Sequence, residues 1–236
     1  MSELRLVALA SSVKVQRDDD LVTLLLAAME QAGEELRHHD LLIVTSKVVS
    51  KSEGQVVDFD GTEEHKVAIV EGESARILRR RGSLRITETR HGFINANAGV
   101  DLSNTDEGTA VLLPKDSDRS ARRIRAVVLQ RTGIDVAVVI TDTFGRVWRR
   151  GVTDVALGCA GLKPILDLRG SYDANGRLLE ATEVAIIDEI AGAANLVLHK
   201  AAGTPFALVR GLDESFFGPG SVRDDVVRQK NEDLFR

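Results

Sequence analysis

The sequence is poor in cysteine, aromatic residues and long apolar runs, and each shortage excludes a class of protein. A single cysteine, Cys159, rules out an intrachain disulfide and is compatible with a reducing compartment. Aromatic residues make up 4% of the chain, so the core must be aliphatic and stacking platforms for single-stranded nucleic acid are not expected. No run of about 18 apolar residues occurs, so we expect no membrane-spanning helix.

Basic residues are also fewer than acidic residues. Lys and Arg number 31 against 36 Asp and Glu, a net charge of −5, so no basic field points to a nucleic-acid partner. Residues 1–5 lack the basic region and apolar core of a signal peptide, which predicts a cytoplasmic protein. Without an internal repeat or a low-complexity linker, residues 1–236 are predicted to form a single catalytic unit.

What the sequence does contain is a series of helix and strand signals. Asp19 and Asp20 cap a predicted helix over residues 21–29 that runs towards Gly33. Further helices are predicted over residues 74–81, from Asp118 or Ser120 to 131 with Gly133 as its cap, and over 182–198. Strands are predicted over residues 41–44, 134–141 and 206–210. Residues 53–65 are expected to form a loop, residues 91–104 a shaped loop or broken strand, and the tail from Ser221 an exposed helix or frayed end. A long polar, Gly-rich stretch separates the strand that ends at Thr141 from the helix that begins at residue 182.

The strongest chemical signal is the segment TDTFGR at residues 141–146, at the end of a predicted buried strand. There Asp142 and the hydroxyl of Thr143 offer hard oxygen ligands suited to Mg²⁺ or Mn²⁺. Arg146, Arg149 and Arg150 follow as a cationic cluster suited to phosphate or carboxylate groups. The alternative is an aspartate that shapes a turn beside solvated arginines.

Two further segments carry polar residues of the same kind. Asp101 and Asn104 place a potential metal ligand near a hydrogen-bonding amide, although turns rich in Asp and Asn are commonly structural. Ser46, Lys47 and Lys51 follow a predicted strand and favour a phosphate cradle, with an exposed lysine turn as the alternative. The chain contains no Walker A motif.

Other candidate residues have less support. His91 has no partner at zinc-ligand spacing, Cys159 lacks the context of a nucleophile, and Asp188 with Glu189 is typical of a solvated helix face. The two aspartate sites, the lysine-serine segment and the arginine cluster nevertheless combine into one hypothesis. Together they would bind a metal–nucleotide complex and a second anionic substrate.

Three long segments resemble signatures of the F420-0:gamma-glutamyl ligase family. They are IVTSKVVSKSEG at 43–54, HGFINANAGVDLSN at 91–104, and the run from TDTFGR at 141 to residue 161. The resemblance continues through DLRG at 167–170, DE at 188–189 and VRG at 209–211, so it covers nearly the whole chain in order and spacing. It implies an α+β fold, with mixed sheets and flanking helices in two interlocked lobes and an intertwined homodimer.

The resemblance also implies an activity. It predicts a GTP-dependent ligase that attaches L-glutamate to coenzyme F420-0 through an acyl phosphate, with further γ-linked glutamates as an extension. Two divalent cations, Mg²⁺ or Mn²⁺, are implied, with K⁺ as an optional further cation, and no nucleic-acid or membrane partner. Larger relatives carry an added C-terminal reductase domain, which we do not expect in a chain that stops at Arg236.

The same resemblance implies roles for particular residues. Asp101 and Asp142 correspond to ligands of one cation and Thr143 to a ligand of the second. Apart from the resemblance, the arginine cluster suggests that Arg146, Arg149 or Arg150 would hold the phosphodiester of the precursor or the carboxylates of glutamate. The implied nucleotide contacts, joined by Lys47 from the phosphate cradle above, are Ser12, Val13, Lys14, Val15, Ser46, Lys51, Asn104, His199, Lys200, Ala201, Ala202, Gly203, Thr204, Pro205 and Phe206.

Two rival functions stay open at this point. One is a metal-dependent phosphoryl-transfer ligase with the same fold that acts on another carboxylic acid. The other is a non-catalytic relative that binds F420 or a nucleotide, against which the retained Asp101, Asp142 and Thr143 argue.

Overall fold

A computed structural model of the chain describes residues 3–103, 105–198 and 203–234. Within these ranges, the strands β1 to β12 are, in chain order, Arg5–Leu9, Leu41–Thr45, Val56–Asp58, Ser74–Arg81, Leu84–Thr89, Ile94–Ala96, Thr109–Val111, Ala137–Gly145, Val152–Ala160, Leu166–Asp167, Glu183–Val184 and Phe206–Arg210. The helices α1 to α6 are Leu21–Gln31, Ser46–Ser52, Glu63–Glu73, Ser117–Thr132, Ile186–Asn195 and Val222–Asp225.

A five-stranded sheet in the order β1-β12-β2-β8-β9 forms the centre of the molecule. β2 and β8 run parallel, with Thr45 beside Thr141, and the other neighbouring strands are antiparallel. The apolar run of β2 is buried on both faces because its residues alternate between two cores. Leu42 and Val44 belong to the core that contains α1 and α4, and Leu41 and Ile43 to the core that contains α5.

Three smaller sheets surround this centre. They have the strand orders β4-β5-β6, β3-β7 and β10-β11, all antiparallel. Mixed sheets with flanking helices confirm the expected α+β class, while the two interlocked lobes and the homodimer stay predictions. Among the helices that the structure describes, each is too short or too polar to cross a bilayer.

The predicted helix ends agree with the structure because they depend on local capping chemistry. Asp20 caps α1 by accepting hydrogen bonds from the backbone N–H groups of Val22 and Thr23, at 3.0 and 3.3 Å. Gly133 ends α4 with a left-handed φ of 72°, as predicted. α4 begins one residue before Asp118, with Asp116 as its cap.

The helix predicted over residues 74–81 is wrong, because this segment forms β4. Arginine favours helices in isolation, but tertiary pairing overrides that preference. β4 pairs with β5 through a turn at Gly82, whose φ is 58°. Across the pair, the guanidinium of Arg76 meets the buried carboxylate of Glu88 at 3.1 Å.

The predicted loop over residues 53–65 also contains regular structure. β3 pairs with β7, with Val56 opposite Val111, and α3 begins at Glu63 after a cap by Thr62. The helix predicted from residue 182 begins only at Ile186, because Glu183 and Val184 pair in β11 instead.

β8 extends further than predicted, and its partner β9 lies in the polar, Gly-rich stretch, where no strand was predicted. β8 continues to Gly145, so Asp142 lies within the strand and not at its end. The pairing of β8 with β9 contains a register shift between Ile140 and Thr141, a β-bulge. Only the part of β8 up to Thr141 is buried, and the remainder rises out of the core as a hairpin with β9.

The buried carboxylate of Asp118 fastens the C-terminal segment to the sheet. One oxygen accepts the backbone N–H groups of Cys159 in β9 and Val222 in α6, at 2.8 and 2.9 Å. The other accepts the hydroxyl of Ser221 at 2.9 Å and the N–H of Arg223 at 3.1 Å. Val222 is consequently fully buried, so the alternative of a frayed end from Ser221 is wrong, whereas the alternative of an exposed helix is confirmed by α6, in which residues 223–225 are exposed.

Asp118→Asn is expected to lower the free energy of unfolding by about 2–4 kcal/mol, because an amide nitrogen would face donors that need an acceptor. Urea denaturation measures the loss, with Asp18→Asn as the control, since the side chain of Asp18 is 88% exposed. A loss below about 1 kcal/mol would show that this network is dispensable.

Candidate active site

The candidate site forms where the parallel strands β2 and β8 leave the core. Ser46, the first residue of α2, follows Thr45 directly, and Asp142 follows Thr141. Since Thr45 and Thr141 are paired in register, Ser46 and Asp142 are brought together at this edge. Polar groups at the carboxyl ends of parallel strands are a common location for ligand sites.

The carboxyl group of Asp142 lies in an environment that opposes its charge. Burial, and to a smaller extent the negative charges of Asp101 and Asp154, raise its pKa from 3.8 to about 7. The N–H of Thr143, 2.9 Å away, and the hydroxyl of Ser46 donate hydrogen bonds that offset only part of this effect. The structure therefore brings the two predicted carboxylates, Asp101 and Asp142, close enough to interact electrostatically in one site.

The carboxylate of Asp101, in contrast, accepts hydrogen bonds from several donors. One of its oxygens accepts the N–H and the hydroxyl of Ser103, at 2.7 and 2.6 Å, and the other contacts the ammonium of Lys47 at 2.6 Å. Burial works to raise the pKa of Asp101, but the hydrogen bonds from Lys47 and Ser103 outweigh it and hold the pKa below its usual value.

Asp154 is a site residue that the sequence reasoning did not identify. It lies opposite Thr143 in the β8–β9 pair, and its carboxylate accepts the Thr143 hydroxyl at 2.6 Å. Asp154 is buried and acts electrostatically on Asp142. Its position could be found only by predicting β9 and its register with β8.

Three lysines gather beside the carboxylates. Lys14 forms an ion pair with Asp106, and Lys47 contacts Asp101. Burial lowers the pKa of Lys51, and the positive charges of Lys47 and Lys14 lower it further, against the opposing effect of Asp106 and Asp101. A cluster of lysine ammonium groups of this kind is suited to phosphate groups.

Backbone hydrogen bonds bring the other predicted nucleotide segments to the same edge. The N–H of Ser11, next to Ser12, donates to the carbonyl of Gly203 at 2.9 Å, and the N–H of Thr45 donates to the carbonyl of Pro205 at 3.0 Å. Thr204 lies between these two anchored residues. The loop before β12 is therefore held between the Ser12 segment and the start of α2.

Not every predicted contact presents a side chain to this site. Val15 and Phe206 are buried in the apolar core, whereas the side chain of Val13 is exposed. Arg146 lies at the exposed tip of the β8–β9 hairpin, where its guanidinium donates to the carbonyl of Arg150 at 2.7 Å. The predicted contacts that fall outside the described residues are Asn104, His199, Lys200, Ala201 and Ala202.

The structure changes the interpretation of Asp188 and agrees with that of Cys159. Asp188 does not belong to a solvated helix face, because its half-buried carboxylate accepts the N–H of Ala156 at 2.9 Å and anchors α5 to β9. Cys159 is buried and burial raises the pKa of its thiol to about 12, in agreement with its exclusion as a nucleophile.

The oxygen ligands at this edge fit a divalent cation. Across the described ranges, no group of three or more His, Cys, Asp or Glu side chains forms a ready-made metal site. The candidate ligands are instead the two carboxylates of Asp101 and Asp142 with the hydroxyl of Ser46 on Asp142, and the hydroxyl of Thr143, which is bonded to Asp154. These are hard oxygen atoms, and a cation would stabilise the charged form of Asp142, which burial and the neighbouring carboxylates disfavour.

Comparison with known proteins agrees with this geometry. A model of the F420-0:Gamma-glutamyl ligase family matches residues 11–211, from the loop at Ser11 to the end of β12. The chain belongs to this family. The match of the F420-0:gamma-glutamyl ligase model includes each segment that converges on the carboxylates.

Two relatives within the F420-0:gamma-glutamyl ligase family illustrate the likeness. The coenzyme F420:L-glutamate ligase of Methanothermobacter thermautotrophicus is 38% identical over 92% of this chain and 93% of its own length. The enzyme of the same description from Methanopyrus kandleri is 39% identical over 94% of each chain. The likeness is therefore to whole ligases and not to a fragment of one.

Without divalent cations at pH 8, Asp142→Asn is expected to be more stable than the parent by about 1–3 kcal/mol, because it removes a charge that the fold disfavours. A carboxyl whose folded pKa is about 7 and whose unfolded pKa is 3.8 loses stability as the pH rises between these values. The difference should vanish near pH 4 and level off above pH 7.

Urea denaturation in EDTA across this pH range measures the effect, with Asp58→Asn, at an exposed position of β3, as the control. An Asp142→Asn variant that is less stable than the parent at pH 8 would contradict the description of this site.

Proposed function

We propose that this chain is a GTP-dependent ligase that attaches L-glutamate to coenzyme F420-0. The observation that carries the proposal is the meeting of Asp101 and Asp142 beside the lysine cluster. This arrangement combines a hard-cation site with an anion site, as a nucleotide-dependent ligase requires. The names of the relatives, coenzyme F420:L-glutamate ligase, supply the substrate class.

The proposed reaction proceeds through an acyl phosphate. A carboxylate does not condense with an amine in water, because the oxide that would leave is too poor a leaving group. Transfer of the γ-phosphoryl group of GTP to the carboxylate of F420-0 converts that oxygen into part of a phosphate and releases GDP. The α-amine of glutamate then attacks the carbonyl carbon, the C–O bond to phosphate breaks, and the amine proton passes to solvent.

We assign separate roles in this reaction to the residues of the site. Lys51, Lys47 and the hydroxyl of Ser46 would bind the nucleotide phosphates. Asp101 and Asp142, with Thr143, would hold divalent Mg²⁺ or Mn²⁺. When bound, such cations neutralise the negative charge of the phosphates during transfer. Asp154 orients Thr143 through the 2.6 Å hydrogen bond described above.

The proposal extends to the exposed arginines and to assembly. Arg146, at the tip of the hairpin, has a long side chain that could reach back along β8, so it would contact the phosphodiester of F420-0 or the carboxylates of glutamate. We also propose a cytoplasmic homodimer with interlocked lobes, and K⁺ as an additional cation. Sedimentation equilibrium tests the dimer, and a protein that is monomeric at micromolar concentration would contradict it.

The direct test incubates the purified protein with F420-0, GTP, L-glutamate and Mn²⁺, and analyses the products by mass spectrometry. We expect F420 species that are heavier by one glutamyl residue or more, together with GDP and phosphate. Replacement of F420-0 by other carboxylic acids distinguishes a ligase of different specificity. A protein that binds GTP but hydrolyses none of it with both co-substrates present would be a non-catalytic relative.

Asp142→Asn is expected to keep the fold and to lower the glutamylation rate more than about a hundredfold, because an amide is a poor ligand for a divalent cation. Product formation per minute at saturating Mn²⁺ measures the effect, and Asp58→Asn should retain the parent rate. A fully active Asp142→Asn variant would refute the ligand role of this residue.

Lys51→Gln is expected to raise the KM for GTP by about tenfold or more, because a positive charge would be missing from the phosphate site. Lys66→Gln is the matched control, since Lys66 lies on α3 and pairs only loosely with Glu63 at 3.9 Å. An unchanged KM in the Lys51 variant would place the phosphates elsewhere.

A further inference from the structure

The ammonium group of Lys47 is bound to Asp101, a carboxylate that the proposed function assigns to a divalent cation. Its ammonium nitrogen lies 2.6 Å from one carboxylate oxygen of Asp101 and 2.6 Å from the carbonyl oxygen of Ser103. The hydroxyl oxygen of Ser103 is 3.5 Å away. The ammonium group thus contacts oxygen atoms of the kind that a hard metal ion would bind.

The hydrogen bonds to Asp101 leave little room for a second cation. One carboxylate oxygen already accepts the N–H and hydroxyl of Ser103, and the other carries the ammonium of Lys47. A divalent ion that binds the second oxygen must therefore displace Lys47. Electrostatic repulsion favours this displacement, because two positive groups at one oxygen atom repel each other.

Displacement is feasible because neither partner is deeply buried. The side chain of Lys47 is 26% exposed and that of Asp101 is 37% exposed, so water can solvate both groups when they separate. A lysine side chain is a flexible four-carbon stem that can point its charge in several directions from a fixed backbone. Lys47 lies on α2, the helix that also carries Ser46 and Lys51.

We infer that Lys47 is a tethered cation that neutralises Asp101 while the site is empty and transfers to the nucleotide phosphates when a divalent ion displaces it. The inference rests on the proposed function for its second half, since the phosphates are the acceptor to which the ammonium moves. Lys47 is in this sense a positioning residue, which keeps Asp101 oriented before the cation arrives.

The exchange couples the binding of metal and nucleotide. A divalent ion alone must break the Lys47–Asp101 pair and leave the ammonium without a partner, so it binds weakly. A nucleotide offers the ammonium a new anionic partner, so each ligand favours the other, and the two effects are reciprocal. The site would thereby favour loading of the metal with the nucleotide over loading of the metal alone.

The first test titrates Mn²⁺ alone into the parent protein and two variants, with free Mn²⁺ followed by electron paramagnetic resonance. Lys47→Met removes the competing charge and is expected to tighten Mn²⁺ binding roughly three- to thirtyfold. Lys47→Gln keeps a hydrogen-bond donor without the charge and should tighten binding less. Lys66→Met is the control, with a lysine that is 25% exposed, and should bind as the parent does.

Two results of this titration would overturn the proposed exchange of Lys47 for a divalent ion at Asp101. Equal or weaker Mn²⁺ binding by a folded Lys47→Met variant, with folding judged by its circular dichroism and melting temperature, would overturn the inference. Should Lys47→Met fail to fold, Lys47→Gln provides the same comparison. Binding of no Mn²⁺ by the parent and both variants would also overturn it.

The second test follows Lys47 in the unmodified protein. Acetic anhydride acetylates free amines, and peptide mass spectrometry reports the rate at each lysine. We expect Mn²⁺ to speed acetylation of Lys47 severalfold by freeing its ammonium, and GDP added with Mn²⁺ to slow it again, with Lys66 unaffected. A rate of Lys47 acetylation that does not change when Mn²⁺ is added would contradict the exchange.

The two proposals fail in different ways. Loss of the Mn²⁺ effect on Lys47 would refute the exchange even if the protein makes glutamylated F420. Absence of glutamylated product, with the Mn²⁺ effect present, would refute the proposed reaction and leave the first half of the exchange intact.

Discussion

The parallel pairing of β2 with β8 is the constraint on which the site depends. The register that sets Thr45 beside Thr141 also sets Ser46 beside Asp142, because each of these residues directly follows a paired threonine along the chain. The aliphatic parts of the two strands, residues 41–44 and 137–140, are buried from both faces and hold this register firmly, since a slip of one residue would exchange the two cores. The chemistry at the edge of the sheet is thus fixed by the packing at its centre.

Around that edge the charges are unevenly balanced. Asp101 is neutralised by Lys47 and supported by Ser103, while Asp142 faces other carboxylates and has a raised pKa. Such an imbalance is costly for an isolated protein, and it is typical of sites that a ligand completes.

Sequence reasoning succeeded where the signals are local. The apolar runs of β2 and β12 and the caps at Asp20 and Gly133 are read from a few neighbouring residues, and the structure agrees with them. The residue types of Asp101, Asp142 and the segment from Ser46 to Lys51 suggested one metal–nucleotide site, but nothing in their spacing requires them to meet. The assignment of both aspartates to one cation, and the segments at residues 12–15 and 199–206, came from family resemblance.

Prediction from the sequence failed where pairing between distant segments determines the secondary structure. β4 carries arginines that suit a helix, yet its pairing with β5 makes it a strand. β9 mixes apolar, small and acidic residues without a clean period, because its two halves have different environments, so Asp154 was missed as a partner of Thr143. A local pattern cannot report such a change of environment within one strand.

The bulge in the pairing of β8 with β9 puts its extra residue, Leu157, in β9, because residues 140 and 141 of β8 pair with residues 158 and 156. β8 therefore keeps one unbroken alternation of side chains from the two apolar cores to the polar edge. A residue inserted into or deleted from the buried part of β8 would turn both Asp142 and Thr143 to the opposite face of the sheet. The length of the interior segment thus sets the facing of the site, whereas the irregularity in backbone pairing is absorbed by the neighbouring strand.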